Sequence, residues 1–332
     1  MMMMTEEEVR AWFLRAAQQG PGEANNFFNS FLGALPEINQ RNYSGALSHG
    51  RSFLIHYCLS TDENAYRTIH KGAAYYWLGT FAFLANDYES ATFFYDAAVA
   101  EDLRAGNNPA NNLTPASGFI LLQNDPPDHL AIPLINAARN RIEELITNYN
   151  ARPGRPAGVG AITLNEIRER FLRPAISPGG EHWRSLATAF ISFCLEWDYR
   201  NELFDLRPGP GTAEPFFLHL FKGCVLFESL LKGNPRQGIP AHSNLGSVLQ
   251  NLHVHLGIPN NIRIGGIDFP TILRDLAGAD DSIQTAILFT GRIRNTVGHD
   301  LGWVVQIDKH QYHRLFRMVT SSCLHAIACL YR

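Results

Sequence analysis

Residues 308–330 constrain the fold most. Asp308-x-x-Gln311 is a capping box, in which two side chains satisfy the orphan N–H groups of a helix start. Behind it Tyr312, Leu315, Phe316, Val319, Cys323, Ala326, Ile327 and Leu330 recur at helical spacing as one continuous apolar stripe. Such a helix must bury its stripe against other helices, and the chain supplies them. One is expected over 215–232, with Phe217, Leu220, Phe221 and Cys224 on a stripe and Gly233-Asn234-Pro235 as its stop. A second starts at Ser243, uses Leu245, Val248, Leu249 and Leu252, and ends at Gly257. A third, capped by Asp281-x-x-Gln284, runs to the residues around 297. Four amphipathic helices with polar connections predict an up-and-down bundle. Strand signals are weak, and 302–307 is the best candidate for a short one.

The N-terminal half reads as helical hairpins. Over 72–104, Leu78-Gly79 lies in a first helix, Asn86-Asp87-Tyr88 makes the turn, and Ala91, Tyr95 and Ala98 alternate small, aromatic and small in a second. Gly79 and Ala91 let the helices approach while aromatic rings fill the groove. Asn42-Tyr43-Ser44-Gly45-Ala46 echoes Asp87-Tyr88-Glu89-Ser90-Ala91 upstream. The hairpin resembles a tetratricopeptide repeat. Residues 105–117 and 123–128 are rich in Asn and Pro, and 151–160 reads as a Pro- and Gly-rich linker. Thr163-x-x-Glu166 caps the next helix, and Trp183, Leu186, Ala187, Phe190, Cys194 and Trp197 make one apolar face. The expected fold is therefore all-α. It has a TPR-like region over 1–150, a linker over 151–162, and a helical domain over 163–332 with its core bundle at about 212–332.

A net charge of −3 gives no whole-molecule attraction to nucleic acid, so any RNA contact needs a local cluster. No apolar run is long enough to span a membrane, and the start lacks the order of a signal peptide; a cytoplasmic protein is expected. Cys58, Cys194, Cys224, Cys323 and Cys329 are widely spaced among apolar neighbours, which predicts reduced, buried thiols. No metal or cofactor is expected: ligand spacings are absent, and His253 and His255 face different directions on their helix.

The candidate site is the hexapeptide Arg294-Asn295-Thr296-Val297-Gly298-His299. It brings together a cation to hold phosphate, an amide, and an imidazole that moves protons near neutral pH. Arg294 shares the apolar face of Ile287 and Val297, so it must be paired or point into a cleft. Glu228 is a candidate partner. Five helical residues turn a side chain through about 140°, so Gly298 is expected to end the helix in a left-handed cap and swing His299 round. Asn295 can orient a phosphate or the imidazole, and Asp300 can set its tautomer. Arg292, on a different face, is a second candidate for RNA phosphate or a solvated surface residue.

The hexapeptide, at the end of a bundle's third helix and before a long fourth, resembles the R-[N/H/D]-x3-H signature of HEPN ribonuclease domains. The resemblance covers roughly the last third of the chain. It implies a metal-independent endoribonuclease, an obligate homodimer with facing motifs, and 2′,3′-cyclic phosphate products. It assigns catalysis to Arg294 and His299 with support from Asn295, and suggests antiviral defence or a toxin system. A protein or peptide partner is expected at the TPR-like region. The rival reading is a non-catalytic helical scaffold that binds a protein, a nucleotide or RNA.

Overall fold

The computed structural model describes residues 5–123, 131–206, 213–235, 243–298 and 305–332, and among them every element is helical. No helix of the described residues is long and apolar enough to cross a membrane. The chain forms two compact units, one of residues up to 136 with 176–181, the other of 137–175 with 182–332.

The first unit holds α1 (Glu6–Gln19), α2 (Pro21–Leu32), α3 (Pro36–Asn39), α4 (Tyr43–Ser52, running on as a π-helical stretch), α5 (Glu63–Thr68), α6 (Gly72–Leu84), α7 (Tyr88–Arg104) and α8 (Pro115–Ile120). Helices α6 and α7 pack as the expected hairpin. A Cβ on Gly79 would lie 3.1 Å from the Tyr95 ring and 3.2 Å from Ala91 O, so glycine allows the close approach without a shift of either neighbour. Thr80 and Tyr95 exchange a buried hydroxyl hydrogen bond. The echo between 42–46 and 87–91 is a repeated turn. Arg41 and Asn86 adopt left-handed φ of 55° and 61°. The following N–H closes on the helix before it, Asn42 onto Glu37 O and Asp87 onto Ala82 O, both at 2.9 Å. The Asn42 and Asp87 side chains then cap α4 and α7.

The second unit takes α9 (Ala131–Ala151) from residue 137 onward, then α10 (Leu164–Ile167), α11 (Arg173–Ala175), α12 (Glu181–Leu206), α13 (Glu214–Lys232), α14 (Leu245–Leu256), α15 (Phe269–Gly278), α16 (Ile283–Val297) and α17 (Lys309–Leu330). Helix α17 packs against α13, α14 and α16. The four expected bundle helices are present. Helix α15 is an addition, started by an Asp268 cap and Pro270 in its first turn. The cap of α16 is Ser282, which accepts from Thr285 N, not Asp281. No strand is found at 305–307, and the rest of that candidate lies outside the described residues.

Residues 151–162, expected as a linker, fall inside the second unit. Arg152 is 8% exposed, donating from Nε to Ser321 Oγ and from Nη1 to Asp281 O. Ile283 N donates to Pro153 O, and the Asn150 amide bonds both N and O of Ile162. Proline and glycine here shape a packed loop, which composition alone cannot distinguish from a free connection.

All five cysteines are buried and none is in a disulfide, and burial pushes the Cys58 thiol up to about 12. Two core histidines share one arrangement. His219 Nε2–H donates to Phe193 O at 2.9 Å, and Tyr312 OH donates to its Nδ1 at 2.6 Å. His325 Nε2–H donates to Leu256 O at 2.9 Å, and Tyr149 OH donates to its Nδ1 at 3.1 Å. A carbonyl can only accept, so each ring carries a proton on Nε2, and in the neutral ring Nδ1 accepts from the tyrosine.

Burial lowers both pKa values from 6.5 to about 4. The unfolded chain protonates these rings near 6.5, so their contribution is complete above that pH and is lost as pH falls through 4. The loss is on the order of 3 kcal/mol for each ring. Urea unfolding between pH 7 and 4 should show this decline, and His325→Gln should reduce the proton uptake on unfolding by about one. Stability independent of pH across that range would exclude neutral buried imidazoles.

Candidate functional site

The site sits at the last turn of α16. Thr290 on this helix bonds the Ser322 hydroxyl of α17 at 2.9 Å, which fixes α16 in rotation. On the outer side a Cβ at Gly291 would lie 2.7 Å from Ile264 Cγ2, so glycine lets the 258–268 loop lie flat on α16. Asn295 Nδ2 donates to Ile264 O at 3.2 Å, and Thr296 Oγ1 donates to Ile267 O at 2.6 Å. This pair pins the loop that leads into α15.

The pinned loop forms one wall of a cleft of about 880 Å³. The other walls are Asn244 to Gly246 at the start of α14, Asp268 to Pro270 at the start of α15, the Arg294–Thr296 turn, and Val305. Two helix N-termini therefore border the cleft with their partial positive ends. Arg294 adds a guanidinium, held through Nε by Glu228 Oε2 at 2.5 Å. Lys232 Nζ takes the other carboxylate oxygen at 2.7 Å. Two cations thus share one buried carboxylate, leaving net positive charge. Opposing it, Asp268 keeps a carboxylate at the rim, its pKa lowered by hydrogen bonds from the Thr271 side chain and backbone.

The structure brings Arg294 and Asn295 together on the cleft wall. It does not bring Arg292 there. Arg292 Nη1 pairs with Asp275 of α15 at 3.2 Å, and its guanidinium lies over the Phe289 ring. Its expected contact with RNA phosphate would have to compete with that carboxylate. His299 and Asp300 lie outside the described residues. Gly298 does not adopt the expected left-handed cap. At φ −68° and ψ −17° it continues the right-handed turn, its N–H bonding Arg294 O at 3.2 Å. A Cβ there would lie 2.9 Å from Arg294 O and 3.4 Å from Phe221, so close packing explains this glycine rather than positive φ.

Sequence reasoning missed the cleft's other contributors. Gly265-Gly266 and the cap Asp268 carry no motif together, and only Asp268-x-x-Thr271 is a readable helix start; Lys232 acts through Glu228. In the first unit a separate cleft of about 290 Å³ contains His70 Nε2 at 3.1 Å from Asp102 Oδ1. Thr114 Oγ1 donates to the other oxygen of Asp102. Among the described residues no three His, Cys, Asp or Glu side chains cluster as metal ligands. Compared with known proteins, the chain matches no family model, no curated protein and no solved structure.

Glu228→Ala removes the acceptor of both Arg294 and Lys232 and leaves two cations facing each other. A loss of about 1.5–3 kcal/mol is expected, the scale of a charged hydrogen bond, read as a lower urea midpoint at unchanged slope. A shift below about 0.5 kcal/mol would mean that Glu228 does not hold Arg294.

Proposed function

We propose that the chain is a metal-independent endoribonuclease of the HEPN type, with Arg294, Asn295 and His299 at its site and a TPR-like region that binds a regulating or targeting protein. The observation that carries the reading is Arg294 at the wall of a wide cleft, on the last turn of its helix, between two helix N-termini. Such a wall suits a phosphodiester. In the reaction the substrate's 2′-hydroxyl gives its proton to a base and bonds to phosphorus. The P–O5′ bond breaks, and the departing 5′-oxygen takes a proton from an acid. His299 moves protons, and Arg294 stabilises the charge that develops on the phosphoryl oxygens. Asn295 keeps the loop wall in place. One motif supplies one imidazole, so a homodimer with two facing copies provides both base and acid.

A second reading, a non-catalytic helical binding protein, draws on the Arg294–Glu228 contact. A guanidinium tied to a buried carboxylate can be purely structural.

His299→Ala should reduce cleavage of single-stranded RNA at least ~10²-fold, and Arg294→Ala should do likewise while the protein stays folded. Cleavage should persist in excess EDTA, spare DNA and 2′-O-methyl RNA, and leave 2′,3′-cyclic phosphate ends. Undiminished cleavage by a purified double variant, or 5′-phosphate products, would refute the assignment. Loss of folding in Arg294→Ala would favour the structural role. Light scattering should give a dimer; a monomer fully active at nanomolar concentration would refute the paired site.

A further inference from the structure

A second polar cavity lies in the same unit, where the end of α9 meets the first turns of α17. It has a volume of about 380 Å³ and shares no lining residue with the cleft at Arg294. Three guanidiniums line it, those of Arg152, Arg314 and Arg317, against a single carboxylate, Asp281. That carboxylate is largely exposed and no nearer than 3.7 Å to Arg152 and 4.0 Å to Arg314. One loosely held negative charge cannot balance three positive ones.

The three arginines are engaged to different degrees. Arg314 is tied up, donating to the carbonyls of Leu276 and Ala279. Arg152 is buried, and its Nη2 has no partner among the described residues. The Arg317 guanidinium is exposed and has none. Asn148 adds a buried amide, Nδ2, with no acceptor. An unpartnered buried donor is costly unless a ligand takes the bond, and an anion beside these guanidiniums would take it. Burial lowers the Arg152 pKa, and the charges of Arg317 and Arg314 lower it further against the opposing pull of Asp281 and Asp280.

We propose that this cavity binds the phosphoryl groups of a polyphosphate. The donors are forked guanidiniums and an amide, which match phosphate oxygens. The imidazoles of His310 and His313 complete the polar lining. The phosphoryl groups come from a free polyphosphate or from an RNA strand, and the two sources are separable by competition.

The test is titration calorimetry of the full chain with pyrophosphate, and with a 2′-O-methyl RNA oligonucleotide that cannot be cleaved. Pyrophosphate should bind at one site per chain. Arg317→Ala should weaken binding by about tenfold or more, the equivalent of about 1.4 kcal/mol, and Asn148→Ala should weaken it less. Because the Arg317 side chain makes no hydrogen bond or ion pair among the described residues, its variant should keep the wild-type melting temperature. Pyrophosphate binding is read without any RNA cleavage, so failure of the ribonuclease reading and failure of this one are distinguishable. RNA displaced by pyrophosphate and sensitive to Arg317→Ala would assign the strand as the source. RNA indifferent to both would assign a free polyphosphate. No saturable pyrophosphate binding at millimolar concentration, or equal binding by Arg317→Ala, would overturn the site.

Discussion

The second unit depends on the burial of α17 from all sides. From Met318 to Leu330 every residue is buried, including Thr320, Ser321, Ser322 and His325. An apolar stripe needs only neighbours, but buried hydroxyls and an imidazole need partners in fixed places, since each one left unpaired costs about 1–3 kcal/mol. Every one of them is bonded. Thr320 turns back to Phe316 O, Ser321 accepts from Arg152, Ser322 meets Thr290, and His325 joins Tyr149 to Leu256 O. Each bond to another element is also a positional instruction. Together they fix the end of α9, the end of α14 and the rotation of α16 about one central helix.

That constraint is transmitted to the candidate site in two short steps. The Ser322–Thr290 bond sets the azimuth of α16, and one turn further Arg294, Asn295 and Thr296 reach the cleft wall. Asn295 and Thr296 then spend their side chains on the carbonyls of Ile264 and Ile267. The cleft wall is thus an extension of the core network rather than an independent loop. This account gives Asn295 a positioning role within the site: its amide donor is already committed, so it acts on the wall before it acts on any ligand.

Much of this was legible where the signal is local. Helix spacing and capping boxes identified α13, α14, α16 and α17, and the Gly79, Ala91 and Tyr95 pattern identified the α6–α7 approach. What was not legible depends on contacts distant in sequence. Arg152 lies in a segment whose composition is that of a linker, and only Ser321 and Asp281, far along the chain, make it core. Helix α15 has a cap and an apolar face but is short and sits between loops, so its residues read as connection. Gly298 shows the limit of residue-type rules. Glycine near a helix end suggests positive φ, yet here the Arg294 carbonyl and the Phe221 ring leave no room for a Cβ at ordinary right-handed angles.

The pairing of Arg294 with Glu228 is compatible with a binding role because of which edge it uses. Glu228 engages Nε, and the nearest other contact, from Nη1 to Asn295 Oδ1, is at the 3.5 Å limit of a hydrogen bond. The guanidinium is anchored at one point with donor capacity remaining toward the cleft, and the side chain is 31% exposed. A long flexible cation free in water would lose rotamer entropy on taking a phosphate. One already held by a buried carboxylate loses less, but meets the phosphate with part of its charge neutralised. Lys232 offsets that cost by sharing the same carboxylate. The triad Lys232–Glu228–Arg294 therefore behaves as a positioned cation of about one net charge, which is what the proposed reading would set against a single phosphodiester.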